Sequence, residues 1–297
     1  MKRILLRILA VLLAIISVLL IAYPFVSNYL MGLNQQSQIV AYENNVKDVT
    51  KQEKKAEYKK ARQYNRKFRT NVVITDPFDP AYQLPEDVEY EQTLNFGDGI
   101  MGSLEIPSIN VELPVYHGTS PDVLKKGVGH MQNTSLPVGG KSTHCVFTGH
   151  TGIPSSKLFT DLDRLKVGDI FYTHVLGDTR AYKIDSVYVI EPDDTDSLMV
   201  YPGKEYVSLI TCTPYGINSH RLIVRGERVP YNQEEYSHEW EKNRDSGSIW
   251  MQEYKRALIF GIIILVSILF VFVIIRLLIV RVRKKKKEKA LAENDVG

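Results

Sequence analysis

Two uncharged apolar runs, residues 8–26 and 257–275, bracket this chain and constrain everything between them. Each approaches the ~20 residues that a bilayer-spanning helix needs. Lys2, Arg3 and Arg7 precede the first run, and Arg281, Arg283 and Lys284 to Lys287 follow the second. Basic flanks are retained on the cytoplasmic side, so both termini are expected in the cytoplasm and residues from about Ser27 to Arg256 outside. A cleaved signal peptide is the competing reading of the first run, but no A-x-A site follows it and it is long for such a segment. The span between the runs leaves room for one globular domain of roughly 150 residues.

Charge is unevenly placed. The net charge is only +3, yet basic residues crowd positions 47–69 and 281–289. The second cluster directly follows an apolar run and reads as topology, and a nucleic-acid role, which would ask for basic residues interleaved with aromatics on a folded surface, is not expected. No Cys/His cluster has metal-ligand spacing and no Gly-rich loop opens a helix in phosphate-binding form, so no cofactor and no metal are expected. The chain has two cysteines, Cys145 and Cys212, and thus no disulfide framework to which either must belong. Cys145 reads as a small buried apolar residue.

Residues 35–68 lack Gly and Pro and are rich in Glu, Lys, Gln and Tyr, with both signs of charge three or four apart. That pattern predicts one or two exposed helices, with a disordered stalk as the alternative. Thr75-Asp76-Pro77-Phe78-Asp79-Pro80 and then Leu84-Pro85 form a stiffened surface loop, because proline fixes φ and withdraws a backbone donor. From Met101 the texture becomes short strand-like runs: 102–107, 111–116, 145–150, 170–172, 181–190, 206–212 and 221–228. At least seven strands with few long helical patterns predict a mostly β domain, a closed or nearly closed barrel. Short helices are expected at 121–126 and 157–165.

Cys212 ends the apolar run Val207-Ser208-Leu209-Ile210-Thr211 and is followed at once by Pro214 and Gly216, which places it at a strand end beside a loop. There a thiol is both rigidly held and reachable. Arg221, Ile223 and Arg225 share one face of the next strand by period-two alternation. If the strands pair antiparallel, one or both arginines project near Cys212. Upstream, His150 follows Thr148-Gly149. A thiol, an imidazole and a guanidinium are the parts needed to attack an amide, protonate its leaving amine and hold the oxyanion. Each residue also has a plain structural reading: a buried cysteine, a turn histidine, a surface arginine. Arg225 rivals Arg221, and His130, His144, His174 and His220 read as structural or surface residues.

The order and spacing of these residues resemble the sortases, membrane-anchored cysteine transpeptidases of Gram-positive surfaces. That family carries a His after Thr-Gly, a Thr-Leu-x-Thr-Cys motif at a strand end, and an Arg on the next strand. These fall on His150, on Ser208 to Cys212 (Ser for Thr at the first position) and on Arg221. The resemblance covers roughly residues 102–229. Two anchors, the helical region before the barrel and Asp76-Pro77-Phe78 resemble the class C, pilus-assembling members, in which an Asp-Pro-aromatic lid covers the active site. The resemblance implies a closed barrel of about eight strands. It also implies Cys212 as nucleophile, His150 as acid/base, Arg221 as oxyanion or substrate stabiliser, and a lid in which Asp76 contacts Arg221 and Phe78 packs near Cys212 and His150.

Hydropathy, flanking charge and the resemblance together divide the chain into a cytoplasmic N-terminus (1–7), a transmembrane helix (8–26) and an extracytoplasmic helical stalk (27–70). A lid loop and lead-in (71–100), the catalytic barrel (101–230), a juxtamembrane linker (231–256), a second transmembrane helix (257–280) and a basic cytoplasmic tail (281–297) follow. The implied reaction cleaves an LPxTG-like sorting signal between Thr and Gly and passes the acyl group to a lysine amine of another pilin. The alternatives are anchoring of surface proteins to a peptidoglycan precursor, simple thiol-protease hydrolysis, and a non-enzymatic membrane-tethered binding module. The second apolar run with its basic tail could itself be a cell-wall sorting signal, but residues 226–256 contain no Leu-Pro-x-Thr-Gly.

Overall fold

A computed structural model describes residues 2–69, 75–79, 85–153, 155–243 and 249–294. The chain divides into two compact units, Met1–Ser248 and Ile249–Gly297. The second consists of one helix, α6 (Ile249–Asn294), whose segment Tyr254–Arg281 is long and apolar enough to cross a membrane. The expected basic tail continues this helix as far as it is described.

The first unit is built on eight strands: β1 (Ile100–Ile106), β2 (Val111–His117), β3 (Val128–His130), β4 (Thr143–Thr148), β5 (Ile170–Val175), β6 (Asp178–Ile190), β7 (Glu205–Thr213) and β8 (His220–Val229). They close into a barrel in the order β1-β2-β3-β4-β7-β8-β6-β5. The pairs β2–β3 and β4–β7 are parallel and the others antiparallel. Closure pairs every strand on both sides and leaves no free edge. Alternation sends Val207, Leu209, Leu222 and Val224 inward, together with Phe147, Phe171, Leu104 and Cys145. Ile210, Ile223 and Val146 point the other way and pack under Met131, Leu198 and Phe78. Cys145 is a free, buried thiol, and its burial raises its pKa well above the usual range.

Ahead of the barrel stand α1 (Lys2–Asp48) and α2 (Lys51–Asn65). The first apolar run and the helix after it form one continuous α1, with Pro24 inside it. Thr50 caps α2 in a reciprocal capping box with Glu53. These helices are not the freely exposed pair expected. Gln35, Ile39, Tyr42 and Val46 of α1 are buried, as are Ala61, Tyr64 and Asn65 of α2. Tyr42 Oη donates to Met101 O and accepts from Leu176 N, both at 3.0 Å. The Asn65 side chain exchanges two hydrogen bonds with the Leu136 backbone. Buried polar groups must find partners, and here the partners are barrel backbone groups, so the helices are fixed to it.

Two short helices follow, α3 (Val88–Gln92) and α4 (Pro121–Lys126), the latter at its expected position and capped by Ser120. In place of a helix over 157–165, only Leu162–Arg164 forms a 3-10 turn. The expected linker contains α5 (Gln233–Asn243), which packs on the barrel: the Tyr236 ring meets Tyr172 edge-on at 4.9 Å, and Trp240 Nε1 donates to Glu105. Residues 71–74 and 80–84 of the expected lid segment, and 244–248 of the linker, lie outside the described residues.

Candidate active site

β7 and β8 pair antiparallel with Cys212 directly opposite Arg221, Ile210 opposite Ile223 and Ser208 opposite Arg225. The thiol and Arg221 therefore share the outward face of the barrel, at the end of the ladder. Arg225 lies four residues along the same face, roughly 13 Å away along the strand. It is occupied there: its guanidinium makes two bonds to Asp185, at 3.0 and 3.1 Å, and lies 4.3 Å from the centre of the Tyr206 ring. Of the two arginines, only Arg221 adjoins Cys212.

His150 is placed by the parallel pairing of β4 with β7, which carries β4 to Thr148 opposite Ile210. The chain then turns at Gly149, whose N–H donates to Ile210 O at 3.1 Å and whose carbonyl accepts from Thr211 Oγ1 at 2.7 Å. A Cβ at Gly149 would stand 2.8 Å from the Phe159 ring, so only glycine permits this approach. The His150 carbonyl accepts from Phe159 N at 3.0 Å. Other hydroxyls of the strand motif also serve as ties: Ser208 Oγ bonds buried His144 Nε2 at 2.8 Å. Since His144 Nδ1 must donate to Met199 O, Nε2 accepts from Ser208. These tethers were not read from the sequence, where Ser208 and Thr211 figure only as members of a strand and of the motif that ends at Cys212.

Residues 75–79 lie across the site. The Asp76 carboxylate takes Arg221 in a fork, Nε to Oδ1 at 2.8 Å and Nη2 to Oδ2 at 2.5 Å. Arg221 Nη1 donates to the carbonyls of Asn218 and His220. Both charged side chains are nearly out of water, at 10% and 11% exposure. Asp76 Oδ1 also accepts from Phe78 N, which turns the loop and sets the ring. That ring lies 5.6 Å from the His150 ring and 5.1 Å from the Arg221 guanidinium carbon. Pro77 between them is buried. A groove of about 490 Å³ runs beside this segment, between Phe78 and Asp79 on one side and Pro192, Asp193 and Thr195 on the other.

The electrostatics of this arrangement hold the chemistry back. Burial pushes the Cys212 thiol up, Arg221 pulls it down, and Asp76 pushes it up again. Burial also pushes the His150 imidazole down, with Lys125 adding to the effect. Both shifts disfavour a thiolate–imidazolium pair. With Asp76 removed from Arg221, the Nε and Nη2 donors that it holds would be released and the arginine's charge would act on the thiol unopposed, while Nη1 stays on the Asn218 and His220 carbonyls. His130, fully enclosed, is bonded to Tyr90 and Ser135 O; His174 pairs with Glu105 and His220 with Glu191. Among the described residues no cluster of His, Cys, Asp or Glu could hold a metal.

A family model described as the sortase domain matches residues 104–229. Among curated relatives, sortase D of Bacillus subtilis is 34% identical over 131 residues, 43% of this chain and 63% of its own length. The chain thus spans under two thirds of that relative. Among solved structures, sortase C-1 from Streptococcus pneumoniae is 46% identical with a TM-score of 0.62, over 66% of this chain and 100% of that one. Sortase C1 of GBS Pilus Island 1 is 41% identical with a TM-score of 0.62, over 67% of this chain and 94% of that one.

Proposed function

We propose that this chain, which belongs to the sortase family and within it to class C, is a transpeptidase that joins pilin subunits through a sorting signal. What supports this most is the pairing of Cys212 with Arg221 across two strands, under a loop whose Phe78 packs on His150. The Cys212 thiolate attacks the Thr carbonyl of an LPxTG-like signal. The carbon–nitrogen bond to Gly breaks, His150 as imidazolium gives its proton to the leaving amine, and a thioester remains on Sγ. Arg221, released from Asp76, stabilises the oxyanion or the substrate backbone. A lysine amine of the next pilin then attacks the thioester, passes a proton to His150 and releases Cys212, leaving an isopeptide bond. The segment 75–79 acts as a lid that must leave before substrate enters.

The two apolar helices suit a chain anchored twice in the membrane, with both termini cytoplasmic and the barrel outside, where anchored substrates are found. The test is incubation of the full chain in lipid nanodiscs with pilins carrying such a signal, followed by gel and mass-spectrometric search for a Thr–Lys linkage. Crosslinked product that disappears in Cys212→Ala is expected. Cleavage to free acid alone, with a lysine acceptor present, would contradict aminolysis and favour hydrolysis.

A further inference from the structure

The basic run on α2 takes no part in the chemistry at Cys212. Lys51, Lys54, Lys55, Lys59, Arg62 and Arg66 line one groove of about 630 Å³ between α2 and the turn joining β5 to β6. Among the described residues none of these six cations has a carboxylate partner, whereas Lys60 pairs with Glu57 and Lys67 with Glu89 on other faces. Lys51/Lys55 and Lys55/Lys59 are like charges at i,i+4 on α2, each opposing the helix that carries them, and Arg66 at its C-cap adds a further cation one turn beyond Arg62. The stripe is therefore a local cost of the fold, and an anionic occupant would relieve it.

Position excludes the bilayer as that occupant. Asn28, two residues beyond the first apolar run, accepts from Lys157 N at 2.9 Å, and Gln35 donates to Lys126 O, so the lower part of α1 docks on the loop after His150 and on α4. Tyr42, higher on α1, holds Leu176 in the β5–β6 turn, beside the groove. From Asn28 to Val46, near the top, α1 climbs about 27 Å. β6 runs the opposite way, starting at Asp178, which lines the groove, and ending at Ile190, which pairs with Arg221, roughly 40 Å of strand further on. The groove lies at the end of the barrel opposite Cys212, away from the membrane-proximal part of α1.

The groove's floor selects among polyanions. Between the cations lie Leu176 and the Tyr58 ring, whose hydroxyl is held 2.9 Å from Val175 O and 2.7 Å from Asp178 Oδ2. Asp178 would repel a chain charged at every unit but tolerates one whose charges alternate with neutral groups. Lys51, Lys55 and Lys59 rise about 6 Å apart along the helix. Alternate side chains of an extended peptide recur at about 6.6–6.8 Å. The geometry points to this groove as a docking site for an acidic, extended segment of the protein substrate, gripping it far from the bond being exchanged. This rests on the transpeptidase reading for the identity of the partner.

The test uses the full chain in nanodiscs of uncharged lipid and a labelled twelve-residue peptide alternating Glu and Ser, read by fluorescence anisotropy. Wild type should bind it, at least tenfold more weakly at 200 mM than at 50 mM salt. Lys55→Gln/Lys59→Gln/Arg62→Gln should weaken binding at least tenfold, with an unchanged or raised melting temperature because the repulsion is relieved. Thioester formation on a short sorting peptide should be unchanged. No binding by wild type, equal binding by the triple variant, or binding of inorganic polyphosphate but not of the peptide would overturn the assignment. If the short peptide forms no thioester while the acidic peptide still binds through these cations, the groove stands and the reading of Cys212 fails.

Discussion

Replacing Asp76 with Ala isolates the contact that closes the site. Two charge-assisted hydrogen bonds join it to Arg221, and bonds to charged groups contribute about 1.5–3 kcal/mol each. With both side chains at about a tenth exposure, salt screens the pair little. Opening returns both charges to water, so the lower bound applies, and the closed form should lose about 3 kcal/mol against the open one. That is on the order of a 100-fold rise in the open population. The Phe78 contacts with Arg221 and His150 remain and keep the variant partly closed.

The assay is the rate at which a small thiol reagent modifies Cys212, followed across pH. Cys145 is buried and does not compete. While opening is fast relative to labelling, the rate tracks the open population. It should therefore rise about 100-fold in Asp76→Ala, and adding Phe78→Ala should contribute less than Phe78→Ala does alone once the lid is mostly open. A second signature is independent of population. Asp76 raises the Cys212 pKa and Arg221 lowers it, so deleting the carboxylate should move the midpoint of the labelling profile to lower pH. Rates within threefold of wild type in folded protein, or a midpoint that moves upward, would refute the lid as the element that controls the thiol.

Two further predictions concern what positions the site. Gly149→Ala puts a methyl group into the Phe159 ring, and overpacking of this kind costs about 1–3 kcal/mol, to be read as a lowered melting temperature together with slower thioester formation. An unchanged melt would mean that the loop after His150 yields freely. Burial depresses His130 to about 3 and His144 to about 4, while the unfolded chain takes up protons below about 6.5. Their stabilising contribution is thus complete above pH 6.5 and is lost as pH falls toward 4. Each histidine adds up to about 1.4 kcal/mol per pH unit, so urea unfolding at pH 5 should show a loss of up to about 4 kcal/mol relative to pH 7. Equal stability at the two pH values would contradict the burial of both imidazoles.

The barrel was legible where strands are long and alternate, and it was obscure where pairing is not local. Val128-Gly129-His130 is too short to show a period, yet as β3 it bridges β2 and β4. The parallel register of β4 on β7, which brings His150 toward Cys212, joins segments some sixty residues apart and leaves no local signature. The helices before the barrel look exposed in sequence because residues 35–68 are polar, with charges of both signs three or four apart and few large apolar residues. Gln35, Ile39, Tyr42 and Val46 nevertheless recur at i, i+4, i+7 and i+11, a buried stripe that an amide and a phenol make look polar in sequence. Tyr236 and Trp240 hide α5 in the same way inside an apparent linker. Asp76 and Arg221 are 145 positions apart, and no propensity or period connects them; only family resemblance did.

Cys212 illustrates why residue type alone was ambiguous. A half-buried thiol at a strand end is the same in sequence whether it is packing or nucleophile. The difference lies in the tethers: Thr211 fixes Gly149, Ser208 fixes His144, and Arg221 is held by Asp76 and two carbonyls. Packing alone asks for none of these hydrogen bonds. Two of them, Thr211 on Gly149 and Asp76 on Arg221, meet at the Cys212 end of the ladder and support a reacting thiol, while Ser208 on His144 ties β7 to β4 further down the strand.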